Sequence, residues 1–274
     1  MKSSGRVAAA FARAEGEERA AFVAYLTAGD PDLRATVELA RAVEAAGADV
    51  LELGVPFSDP IADGATLQRA AARALASGTT LDGVFAAAAE IRAKTDLPLL
   101  LFSYANPLCA RGFGRAFREA ASAGFDALLL TDVPAEESDA VLPDVARAGL
   151  DPVLLVSPTS DAGRMRAAAE RSRGFLYVVS RTGTTGERAR LAEDLQRTVA
   201  RARRAADAER GDRGTLPIAV GFGIASAEDA RRVAAIADGV VVGSALVACA
   251  ESGGARAASA VETLARSLAE ACRR

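Results

Sequence analysis

Two carboxylates eleven residues apart, Glu52 and Asp63, are the side chains in this 274-residue chain best suited to acid–base chemistry. Glu52 stands in Asp49-Val50-Leu51-Glu52-Leu53, which otherwise reads as a buried β-strand. An ionised Glu among such neighbours costs several kcal/mol unless it is paired, hydrogen-bonded or protonated. Val50 and Glu52 share one strand face and Leu51 and Leu53 the other. With helices covering the outer face, Glu52 is expected to point inward, and desolvation there raises its pKa from about 4.3 towards neutrality. A carboxylic acid poised in this way gives and takes a proton at neutral pH. The plain alternative is a structural Glu tied to neighbouring backbone groups. Asp63 ends the Gly/Pro/Asp-rich loop that follows and also suits a helix N-cap. Asp59 and Asp132 lie in similar proline-bearing loops, and position alone does not choose among the three.

What the chain lacks narrows the chemistry. It contains no His, which removes the usual general base, the Ser–His triad and most transition-metal sites. Its lysines are Lys2 and Lys94, and neither ends an apolar strand where a Schiff-base amine would be desolvated. Acid–base work therefore falls to Asp, Glu or Tyr. Cys109, Cys249 and Cys272 are odd in number and lack metal-type spacing, which suits free thiols in a reducing cytoplasm and predicts no bound metal. A net charge of −3 with interspersed signs argues against nucleic acid or anionic membrane as the main partner. No apolar run approaches the ~20 residues of a membrane span, and Met1 to Ala14 has no signal-peptide core. A cytoplasmic enzyme or enzyme subunit is expected.

The elements that must position these groups follow a simple alternation. Strand-like runs are read at 21–27, 48–53, 98–104, 126–131, 152–156, 175–180, 217–221 and 238–242, separated by Ala/Arg/Glu-rich stretches of helical spacing. Gly47-Ala48-Asp49, Gly124-Phe125-Asp126 and Gly149-Leu150-Asp151 repeat at helix-to-strand turns, where Gly suits the left-handed helix end. Eight βα units predict an α/β fold, a single (β/α)8 TIM barrel over residues 1–274, with an extra short N-terminal helix at about 4–15. The polar stretch Ala205 to Thr215 reads as a surface loop.

In such a barrel the site lies where strands end and βα loops begin. Three Gly-rich loops fall on that rim: Arg181-Thr182-Gly183-Thr184-Thr185-Gly186, Gly221-Phe222-Gly223-Ile224 and Val242-Gly243-Ser244. Glycines let backbone N–H groups approach a dianion, and a short helix starting near Ser244 would add its N-terminus, so phosphate binding is predicted. Tyr25, Tyr104 and Tyr177 fall in or at the ends of strands one, three and six. With Phe102 and Phe222 they would line an apolar pocket for a flat ring, although strand aromatics are commonly plain core.

Taken together, Tyr25-Leu26-Thr27-Ala28-Gly29-Asp30-Pro31, Leu51 to Gly64, Tyr104-Ala105-Asn106, Thr131-Asp132-Val133-Pro134, Tyr177 through Gly186 and Gly221-Phe222-Gly223-Ile224 resemble the landmarks of the tryptophan synthase alpha subunit family, in its order. The resemblance implies a lyase of tryptophan biosynthesis, cleaving indole-3-glycerol phosphate to indole and glyceraldehyde 3-phosphate by a retro-aldol step without an imine. It implies an alpha2beta2 assembly in which a beta subunit carries pyridoxal phosphate and receives the indole, and no cofactor in this chain. It puts the catalytic pair on Glu52 and Asp63 and the phosphate contacts on Gly186, Gly223, Gly243 and Ser244. It puts the substrate pocket on Tyr177, joined by Tyr25, Tyr104, Thr185 and Phe222. Pro56 and Asp59, in the loop after strand two, are the expected partner-facing residues. Ala65, where the family commonly has Pro, and Phe102 and Ser103 beside Tyr104 depart from its pattern without removing an acid.

Overall fold

The computed structural model describes residues 5–179, 188–210, 215–221, 223–251 and 254–274. Its strands are β1 Ala21–Thr27, β2 Val50–Gly54, β3 Leu99–Ser103, β4 Ala127–Leu130, β5 Asp151–Pro152, β6 Leu155–Val156, β7 Leu176–Val179, β8 Ile218–Gly221 and β9 Gly239–Val242. The first helices are α1 Arg6–Gly16, α2 Leu33–Ala45, α3 Ala65–Ala76, α4 Leu81–Arg92, α5 Ala105–Cys109 and α6 Phe113–Ser122. They are followed by α7 Leu142–Ala148, α8 Ala162–Arg171, α9 Arg188–Arg210, α10 Ala227–Ala234, α11 Ser244–Ala250 and α12 Gly254–Ala271.

All the strand pairings are parallel, in the order β5-β4-β3-β2-β1-β9-β8-β7-β6. The two ends of that order are halves of one strand. Between them the Val153 N–H donates to the Leu128 carbonyl at 2.9 Å, and the Tyr177 N–H donates to the Leu154 carbonyl at 3.1 Å. The strand thus passes its bonds from β4 to β7 and closes the ring. The continuous fifth strand expected at 152–156 is accordingly corrected to two short pieces, because Pro152 brings no N–H to the ladder.

Period-two alternation sorts the strands into two layers. Val23, Tyr25, Val50, Leu100, Phe102, Leu129, Tyr177 and Ala219 pack into the barrel interior. Phe22, Leu26, Leu51, Leu53, Leu99, Leu101 and Val220 pack outward under the helices. Helix α1 closes the amino end of the barrel, with Phe11 stacked on Phe175 at 5.2 Å. At the repeated turns Gly47, Gly124 and Gly149 have φ of 99°, 100° and 80°, the left-handed geometry expected there.

The residues after those glycines do more than launch strands. Asp49 and Asp126 are buried, and each accepts a backbone N–H from the preceding strand, from Phe22 at 2.8 Å and Leu99 at 3.0 Å. Arg19 grips Asp49 and Arg92 grips Asp126, and Arg203 pairs similarly with Asp238 at 2.9 Å. These pairs lie at the amino end of the barrel, away from the rim where such folds carry chemistry, and tie neighbouring segments together. The stretch expected as a loop from Ala205 is helical as far as Arg210. Ala202, Ala205 and Ala206 are all buried at helical spacing, so the apolar face outlasts the polar composition that suggested a loop.

Candidate functional site

At the carboxyl end of the barrel, β2 brings Glu52 into the interior on the face it shares with Val50. The side chain is 1 % exposed, and neither Oε1 nor Oε2 finds a hydrogen-bond partner among the described residues. The structural alternative, a Glu tied to neighbouring backbone, therefore does not hold. Burial pushes the Glu52 carboxyl up to about 8, so it is largely protonated at neutral pH.

The same cleft receives Asp63 from the loop between β2 and α3. Gly64, not Asp63, is the N-cap of α3, which removes the capping alternative. Burial raises Asp63 to about 6, while a hydrogen bond from the Tyr104 hydroxyl holds it lower than burial alone would. Tyr104 also accepts the Ala62 N–H at 2.9 Å, so the phenol anchors the loop next to this acid. The rival acids are elsewhere. Asp59 is exposed beside Ser58, and Asp132 is exposed and accepts the Ala105 N–H at 2.8 Å.

Tyr25 and Tyr177 line the cleft with Phe102. Tyr25 meets Phe102 edge-on, with ring centroids 5.2 Å apart at 78°. Each tyrosine lies over the glycine that ends the neighbouring strand. A Cβ on Gly54 would fall 2.1 Å from the Tyr25 hydroxyl, and one on Gly221 would fall 2.1 Å from the Tyr177 hydroxyl. Thr27 donates to the Tyr25 hydroxyl at 3.4 Å. Burial drives both phenols well above their ordinary range, so they remain neutral.

Gly223, Gly243 and Ser244 also border the cleft, Gly243 lying against the Tyr25 ring. Gly223 has a φ of 81°, and Ser244 opens α11. Thr185, Gly186 and Phe222 lie outside the described residues. In the loop after β2, Pro56 is buried whereas Asp59 is exposed, and Ile61 at the tip is 86 % exposed. Leu67, Ile224 and Val241 also line the cleft and were not singled out in the sequence. Parity along β9 could have found Val241. Leu67 reaches the cleft from a helix folded over the barrel mouth, which no strand pattern signals.

A family model described as tryptophan synthase alpha chain matches residues 11–273. The chain belongs to the tryptophan synthase alpha chain family. A family member from Opitutus terrae is 48 % identical over 244 residues, covering 89 % of each chain. Among solved structures, the tryptophan synthase alpha chain of Legionella pneumophila superposes with a TM-score of 0.85 at 34 % identity, covering 97 % of each chain. Tryptophan synthase from M. tuberculosis, in an aminoacrylate-bound form, gives 0.86 at 31 % identity, covering 98 % of this chain and 99 % of that one. The chain thus shares the fold of the family's solved members.

Proposed function

We infer that this chain, as one barrel domain, cleaves indole-3-glycerol phosphate to indole and glyceraldehyde 3-phosphate, with Glu52 and Asp63 as its acid–base pair. The observation that carries the reading is a buried carboxyl without hydrogen-bond partners among the described residues, sharing one cleft with a second acid, in a chain of this family. Breaking the bond between ring and glycerol chain requires a proton on the ring carbon and loss of a proton from the side-chain hydroxyl. Glu52, titrating near neutrality, suits both transfers from one face. Asp63 suits the ring N–H, accepting its hydrogen bond and stabilising positive charge that develops on the ring. Tyr25, Tyr177 and Phe102 supply the apolar walls for the flat ring. Gly223, Gly243 and Ser244, with Gly186, are the proposed phosphate contacts. Tyr104 works through Asp63, and Thr185 and Phe222 complete the proposed pocket.

Pyridoxal phosphate belongs, on this reading, to a beta subunit in an alpha2beta2 assembly in the cytoplasm. Among the described residues Lys94 is exposed and paired with Glu90 at 2.6 Å, which does not suit a Schiff base. The loop bearing Pro56 and Asp59 is the proposed partner face. Support comes from Ile61, which with Leu75 makes up the exposed large hydrophobic side chains among the described residues. Steady-state release of indole from indole-3-glycerol phosphate, with and without a beta subunit, tests the proposal. Release that rises on adding beta is the expected result. Release unaffected by beta would mark a free-standing lyase, and no release in either case would refute the function.

A further inference from the structure

Asp63 sits on a loop, yet its chemistry requires placement to a fraction of an ångström. The local anchors are Tyr104 and α3 itself. The Gln68 side-chain amide donates to the Asp63 carbonyl at 2.9 Å, which ties the acid to the first turn of the helix that follows it. Whatever fixes α3 therefore fixes Asp63.

Helix α3 buries Ala70, Ala71 and Ala74, and one of its side chains adds a polar clamp. The Arg73 guanidinium forms a two-pronged pair with Asp30, Nε to Oδ1 at 2.8 Å and Nη2 to Oδ2 at 2.8 Å. Asp30 is 2 % exposed and belongs to the loop after β1. The remaining prong of Arg73, Nη1, donates to Glu251 Oε1 at 2.9 Å, immediately beyond α11, and Arg69 approaches the same carboxylate at 3.7 Å. Ser244 and Gly243, at the other end of α11, border the cleft. One planar guanidinium thus joins three segments: the loop after β1, the helix behind Asp63 and the helix that begins at the proposed phosphate corner. Planar, forked donors suit such a junction, and a lysine could not reproduce it.

We propose that Arg73 is a positioning residue for Asp63, locking α3 to α11 so that the acid and the Gly243–Ser244 corner grip one ligand in register. The proposal rests on the reading of Asp63 as acceptor for the ring N–H. It places Arg73 outside the cleft, acting only through the helix it holds.

The test uses the full chain and two ligands, indole-3-propyl phosphate and its benzofuran counterpart, in which oxygen replaces the N–H. Dissociation constants for both are measured by calorimetry in the wild type, R73K, E251Q and D63N. The wild type is expected to prefer the indole ligand, and D63N to lose that preference. If the wild type shows no preference, the reading of Asp63 fails, and this proposal fails with it. If the preference exists, R73K is expected to cut it by about threefold or more, and E251Q by about twofold, with smaller effects on the benzofuran ligand. A merely structural role would weaken both ligands alike. Equal weakening, or an unchanged preference in both variants, overturns the proposal. Glu251 lies at the surface, so E251Q decides alone should R73K fail to fold.

Discussion

Replacing Glu52 by Gln offers a double test, because the carboxyl is both the proposed proton carrier and a source of instability. Buried without hydrogen-bond partners among the described residues, it titrates near 8 in the folded chain against 4.5 for the ordinary group. The folded state therefore holds this proton more tightly than the unfolded state, and folding stability falls as pH rises between those two values. Below the lower value the group costs nothing, and above the upper value the cost is constant. Integrating between pH 5 and pH 8 gives about 3 kcal/mol of stability lost on account of this one carboxyl. Gln has the same shape and a pH-independent desolvation cost, so the variant removes only the pH-dependent part. Urea unfolding of wild type and Glu52→Gln at both pH values should show their difference moving by about 3 kcal/mol in favour of the variant on going to pH 8. In the same preparation, release of indole should fall by at least about 10³-fold, with affinity for indole-3-propyl phosphate changed only a few-fold. A stability difference that stays flat with pH would show that Glu52 is not held dry and protonated. Near-normal turnover in the variant would remove it from the chemistry.

Further outcomes follow from the same geometry. With Asp63 titrating near 6 and Glu52 near 8, kcat/KM should rise through about pH 6 and fall through about pH 8, the two limbs belonging to the pair rather than to single residues. A profile flat from pH 5 to 9 would contradict the assignment, and Asp63→Asn should abolish the acid limb with a loss of about 10²-fold or more. Gly54→Ala would put a methyl 2.1 Å from the Tyr25 hydroxyl, so it should raise KM and lower kcat through a displaced ring, whereas wild-type kinetics would show that Tyr25 moves aside freely. At the opposite end, Asp49→Asn breaks the buried pair with Arg19 and should cost about 3 kcal/mol of stability while leaving kcat/KM within twofold, as read by urea unfolding and the indole assay. A kinetic defect as large as the stability defect would show that the two ends of the barrel are coupled.

Much of this protein was legible in the order of its residues. Alternating runs of period two and period 3.6 are local signals, so βα repetition, and with it a parallel barrel, could be read directly. Local chemistry also distinguished Glu52, because a carboxylate within Val50-Leu51-Glu52-Leu53 conflicts with its surroundings and such conflicts mark sites. Parity along β2 then predicted its inward direction, which the interior placement of Val50 matches. Loops carry no such periodicity. Asp59, Asp63 and Asp132 were equivalent by position, and only the folded path of the loop after β2, pinned by Tyr104 some forty residues away, brings Asp63 alone of the three to the cleft. Composition misled where polar residues rode on a helix with a buried alanine face, from Ala205 to Arg210. The clamps of Asp49, Asp126 and Asp238 by Arg19, Arg92 and Arg203 pair residues from separate segments and leave no mark in any one of them. The sequence by itself determined which strand residues alternate and which apolar strand carries a carboxylate, because both are local properties of the chain. Tertiary structure alone decided which of them meet, since contact between distant segments depends on barrel closure and not on any local preference.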